Sequence, residues 1–111
     1  MNWSIEYFNQ NIEESILNLP DGLLAKYLRY TDLMIELGPN LGMPHTKALK
    51  DGLFELRIKS KEGIARVFYC IIIKNRIVML HVFIKKSQKT PKKELRIAFT
   101  RMKEVKNNES L

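Results

Sequence analysis

Hydrophobic positions along this chain switch between two periods. Trp3, Ile5 and Tyr7 alternate with Asn2, Ser4 and Glu6, which predicts a first strand over residues 2–8. The period then lengthens to that of a helix over about Asn11 to Leu19, where Ile12, Ile16 and Leu19 share a face. Pro20-Asp21-Gly22 breaks this helix, and Asp21 is placed to N-cap a longer one. There Leu23, Tyr27, Tyr30, Met34 and Leu37 recur at helical spacing, widened by Leu24, Leu28 and Ile35, until Gly38-Pro39 stops them. Such a stripe is expected to be core. Residues 38–52 read as a Gly- and Pro-rich connector that carries His45 and Lys47.

Three strands follow. In Leu53–Lys59, Phe54, Leu56 and Ile58 alternate with Glu55, Arg57 and Lys59, the pattern of a half-buried strand. Ser60-Lys61-Glu62-Gly63 is a turn. Ala65–Ile73 is almost continuously apolar, as a central strand should be, with Arg66 the exception. Lys74-Asn75 predicts a tight hairpin into Arg76–Ile84. On that last strand His81, Phe83 and Lys85 share one face, and Val82, Ile84 and Lys86 the other. A final helix is expected with Thr90 as N-cap, Pro91 in first position and an apolar stripe of Leu95, Ala98, Phe99, Met102 and Val105. Lys92, Lys93, Arg96, Lys103 and Lys106 lie opposite that stripe, and residues 107–111 read as a frayed end. The fold class is α+β, a small antiparallel sheet with N-terminal helices and a C-terminal helix.

Composition narrows the picture. A chain of 111 residues, 45% hydrophobic, is expected to form one domain over 1–111 with one modest core. No apolar run approaches the roughly 20 residues of a membrane-spanning helix, and no basic segment followed by an apolar block marks a signal peptide. Cys70 is alone in an apolar strand, so it has no disulfide partner in the chain and reads as packing. A cytoplasmic location is expected. The net charge is +7, and it is unevenly placed. Residues 1–40 hold two basic side chains against six acidic ones, whereas residues 85–106 hold nine Lys or Arg and two Glu. Such asymmetry favours a polyanionic partner on one side of the fold.

Motifs of high specificity are missing. One Cys and two distant His make no structural zinc site, no Gly-rich phosphate loop is present, and no paired carboxylates suggest a two-metal nuclease. No metal and no cofactor is expected. What remains is an electrostatic site. RNA carries its own nucleophile, the 2′-OH, so cleavage needs that hydroxyl oriented, the transition-state charge neutralised and protons relayed. Arg57 and Arg66, on neighbouring strands, can converge on one phosphate. Lys85 and Lys86 close the last strand, and a Lys beside other cations can exchange a proton. His81 suits acid–base work or is a hydrogen-bonded structural His. Glu55 is a base or the salt-bridge partner of Arg57. Tyr69 is core or a stacking platform for a base. The catalytic candidates are Arg57, Arg66, Lys85 and His81. The RNA- or ribosome-contacting candidates are Lys59, Lys86, Lys89, Lys92, Lys93 and Tyr69.

Three blocks carry a family resemblance. Lys47-Ala48-Leu49-Lys50-Asp51-Gly52-Leu53-Phe54-Glu55-Leu56-Arg57 resembles the K-L-x-G-L-x-E-L-R stretch of the phage-derived Gp49-like, or HigB-like, toxins. Arg66-Val67-Phe68-Tyr69 is similar to their R-x-F-Y strand, and His81 through Pro91 to their H-x-F-x-K-K-x-x-K-T-P signature. The blocks occur in family order over roughly residues 5–105. The resemblance implies the RelE/ParE superfamily fold, a compact domain with a twisted antiparallel sheet. It implies the toxin of a type II toxin–antitoxin pair, a ribosome-dependent, metal-independent mRNA endoribonuclease that inhibits translation. The implied partners are mRNA, the ribosome and a HigA-like helix-turn-helix antitoxin, through which alone operator DNA would be met. Arg66 resembles the sheet Arg of RelE-like nucleases, and Arg57, Lys85 and Lys86 fall in the basic blocks. No Tyr follows Tyr69, so the C-terminal Tyr of some members has no counterpart. The alternatives are a ParE-like gyrase poison and a non-catalytic nucleic-acid-binding module.

Overall fold

A computed structural model describes residues 2–85 and 89–109. The chain forms β1 (Ser4–Tyr7), α1 (Gln10–Leu17), α2 (Asp21–Leu37), β2 (Thr46–Ala48), a 3-10 turn (Lys50–Gly52), β3 (Phe54–Ser60), β4 (Gly63–Ile72), β5 (Arg76–Lys85) and α3 (Lys92–Glu109). The strands build one sheet in the order β1-β5-β4-β3-β2. From β2 to β5 it is antiparallel as expected, but β1 joins the free edge of β5 in parallel. Alternation predicts a strand and is silent on its direction, so the mixed sheet is a correction to the all-antiparallel expectation.

Helices cover both faces. On one, α1 and α2 bring Ile12, Ile16, Leu23, Tyr27 and Met34 onto Leu56, Ile58, Val67, Tyr69, Ile77 and Met79. On the other, Ala98 and Met102 of α3 pack on Phe68, Cys70, Ile72, Val78 and Leu80. β4 supplies alternate residues to both layers, which explains its unbroken apolar run.

The termini of the helices show what local pattern misses. α1 starts at Gln10 and Asn9 caps it, its side chain accepting the Ile12 N–H at 2.9 Å. Asp21 is the first residue of α2 rather than its cap. The cap arrives from far along the chain: the Glu62 carboxylate, in the β3–β4 turn, accepts the Leu23 N–H at 3.2 Å. Gly22 permits this approach, because a Cβ there would collide with Glu62. At α3, the Thr90 hydroxyl donates to Glu55 Oε2 at 3.3 Å and does not cap the helix. The end expected to fray stays helical to Glu109, whose carboxylate pairs with Arg76 at 3.1 Å.

The β4–β5 hairpin turns on Lys74 and Asn75, both left-handed at φ 63° and 57°, as a two-residue turn requires. Farther along, Phe68 pairs with His81 but Tyr69 with Met79, so Leu80 is an extra residue. This β-bulge puts Leu80 and His81 on the same face of β5.

Candidate functional site

On the α3 face, alternation sends Glu55, Arg57, Arg66 and Phe68 outward from β3 and β4. Arg57 and Arg66 are direct register partners. Phe83 sits opposite Arg66 on β5, and Lys85 opposite Ile64. α3 roofs only part of this face. Where its roof ends, a cavity of about 290 Å³ opens between Lys47, Leu49, Glu55, Arg57, Arg66, Lys85, Thr90 and Leu95.

One carboxylate sits beneath the cations. Glu55 is 4% exposed, and its Oε1 accepts Arg57 Nε at 2.9 Å and lies 3.6 Å from Arg66 Nη1. The salt-bridge reading of Glu55 is therefore the one the geometry takes. Arg57 is thereby aligned, but Arg66 is left short: its buried Nε and Nη1 have no hydrogen-bond partner among the described residues. Buried donors without acceptors are costly, more so on a charged group. Burial holds the Arg66 pKa below its ordinary value, and Arg57 adds to this against the opposing charge of Glu55. Lys85, 8% exposed, is lowered in the same way, by burial first and then by the Arg66 charge. Three buried or half-buried cations over one carboxylate form a site that an anion would complete.

The remaining candidates separate. His81 lies on the same face but outside the cavity: its Nε2 is 3.0 Å from Glu94 Oε2, and Phe68 and Phe83 stack beside its ring. Arg101 Nη1 approaches its other ring nitrogen at 3.5 Å and donates to the Leu80 carbonyl at 2.8 Å. His81 thus links α3 to β5 from a position beside the cavity. Of its two readings Tyr69 takes the core one. It is fully buried on the opposite face, among the α1 and α2 side chains, and its hydroxyl donates to the Pro39 carbonyl. No base can reach it. Lys59 is exposed near the end of β3, and Lys89, Lys92 and Lys93 are exposed where α3 begins. Lys86 lies outside the described residues. Cys70 is buried, and burial pushes its thiol up to about 11, as expected for a packing residue.

Lys47 and Thr90 are site residues that sequence reasoning missed. The connector hides a short strand, β2, which pairs Lys47 with Glu55 across the ladder. His45, in the same connector, lies with its ring 4.7 Å from that of Tyr30, and its carbonyl accepts the Arg57 N–H.

Comparison with known proteins agrees with this architecture. A family model described as "Phage derived protein Gp49-like" matches residues 14–103. Among solved structures, the chain is similar to RelE in the archaeal RelE–RelB complex from Pyrococcus horikoshii OT3, at 18% identity and a TM-score of 0.56. That match covers 78% of this chain and 98% of the other. A mutant of E. coli toxin RelE in the free state matches at 14% identity and a TM-score of 0.58, over 92% of this chain and 99% of the other. No curated protein sequence matches the chain. No helix among the described residues is long and apolar enough to cross a membrane.

Proposed function

The chain belongs to the phage-derived Gp49-like family, and from that premise we propose that it is the toxin of a type II toxin–antitoxin pair, cleaving mRNA on the ribosome. One observation carries the chemical half: Arg66 offers two buried donors that make no hydrogen bond among the described residues, beside Arg57 and Lys85. A phosphodiester supplies the missing acceptors. In this reading the substrate's 2′-hydroxyl gives up its proton to water as its oxygen bonds to phosphorus and the bond to the 5′-oxygen breaks, leaving a 2′,3′-cyclic phosphate and a 5′-hydroxyl. Arg66 and Arg57 hold the phosphoryl oxygens as negative charge builds on them. Glu55 aligns the Arg57 fork. Lys85, whose proton is held less tightly than usual, is the group in the pocket best suited to hand a proton to a leaving oxygen. Lys59, Lys86, Lys89, Lys92 and Lys93 are assigned to ribosomal RNA, where their contribution is ionic and salt-dependent. The partner is a HigA-like helix-turn-helix antitoxin, which would link the toxin to operator DNA. The RelB-bound state of the archaeal structural neighbour supports an antitoxin partner in general.

Induced expression tests this reading. Growth should arrest with mRNAs cut at codon-phased sites, and a folded Arg66→Ala chain should leave growth intact. DNA breaks and filamentation with mRNA intact would replace the ribonuclease with a gyrase poison. Arrest by the folded Arg66→Ala chain would remove Arg66 from the chemistry.

A further inference from the structure

Leu49 and Leu95 line one side of the Arg66 pocket. Their chain neighbours Lys50 and Arg96 line a second and larger cavity, of about 590 Å³, in the seam between the 3-10 turn and α3. Its volume falls within the roughly 300–1,000 Å³ of small-molecule sites. Lys50, Arg96, Lys103 and Lys106 line it, and Asp51 is the single carboxylate among the lining residues. Phe99 lies between them, half-buried against the α3-side core, with Lys50 Nζ 5.8 Å from its ring centroid. Lys106 is tied at the far end, donating to the Asp51 carbonyl at 3.3 Å. A solvated basic helix face accounts for cations alone. It does not account for a cavity that gathers them around a half-buried aromatic ring. That pairing matches a single-stranded nucleotide, which offers a flat base between two phosphates. An acidic peptide would meet the cations but bring no flat partner to the ring.

We propose that this seam is a second nucleotide subsite. A single-stranded RNA leaving the Arg66 pocket passes over Leu49 and Leu95, stacks one base on Phe99 by displacing Lys50 Nζ from over the ring, and places the flanking phosphates against Lys50, Arg96 and Lys103. The proposal rests on reading the Arg66 pocket as an RNA site, so its test must separate the two. The probe is a fluorescein-labelled, 2′-O-methylated ten-nucleotide RNA, which binds without being cut, followed by fluorescence anisotropy across a salt series. Phe99→Leu keeps an apolar side chain against the core but removes the stacking face, and should weaken binding about tenfold. Arg96→Glu with Lys103→Glu should weaken it further and flatten the salt slope by roughly 0.7 for each lost contact. Circular dichroism melts verify folding. If both groove variants bind like the wild type while Arg66→Ala binds weakly, the subsite is overturned and the pocket reading stands. If the wild type does not bind the probe, both fall. Equal competition by a polyglutamate peptide of matched charge, or an unaltered Phe99→Leu affinity, overturns the base-stacking assignment.

Discussion

Two halves of one sheet face obey opposite rules. Beneath α3, β4 and β5 present Phe68, Cys70, Ile72, Val78 and Leu80, all buried. Two residues before Phe68 on the same strand, and on the same face, stands Arg66, with Arg57, Glu55 and Lys85 around it. Phe68 and Phe83, stacked 5.8 Å apart, mark the border. The covered half is a core, where every polar group would need a partner. The open half buries cations around a cavity instead of packing them into the core. Its strain is electrostatic: Arg66 is buried with two donors unpartnered among the described residues, and burial lowers the pKa of both Arg66 and Lys85.

That contrast can be broken from either side. The largest effect should come from the covered half. Leu80→Ala would leave a cavity under α3 and cost about 2–5 kcal/mol of stability by chemical denaturation, without altering the pocket's cations. Next comes the open half. Arg66→Met replaces a poorly satisfied buried charge with an apolar chain, so cleavage should fall by a factor of about 10²–10³. Thermal stability should hold or rise, by about 1–4 kcal/mol at most. A fall in both activity and stability would mean that Arg66 is a structural ion-pair member rather than a functional one. A smaller effect is expected from Lys85. Its folded pKa lies below the ordinary 10.5, so across the window between the two the unfolded chain binds more protons, and stability rises with pH. Lys85→Met should remove that rise, seen in melting curves taken from neutral pH towards 10.5. The smallest effect belongs to the border. His81→Gln should cost about 0.5–1.5 kcal/mol through its Glu94 contact and leave cleavage within a few-fold. A thousandfold loss of cleavage with the fold intact would place His81 in the chemistry.

Much of this was legible in the sequence. Alternation in β3 placed Glu55 and Arg57 on one face, and the lone cation in the apolar run of β4 singled out Arg66. The helix stripes through Tyr27 and Met34 also read correctly, because burial of one face sets their period. Tyr69 was ambiguous because a strand buried on both faces has no alternation to say which layer a residue joins. The surroundings of His81 were not legible, because its partners, Glu94 and Arg101, belong to a helix whose docking no local pattern reports. β2 was hidden because three residues rich in polar side chains carry no period, and its role depends on the edge that β3 leaves open. The Glu62 cap on α2 joins residues 39 apart in sequence, beyond the reach of any window.

The bulge at Leu80 has one further consequence. Strand parity is set by counting, and the extra residue shifts the count by one for everything after it. Without it, Lys85 would point towards α1 and α2, and Phe83 and Lys85 would exchange sides with Val82 and Ile84. The position of a charge is thus controlled by an insertion five residues upstream, without any change in the charged residue itself. Indels within 80–84 would act as a binary switch on the site, whereas substitutions there would act by degrees.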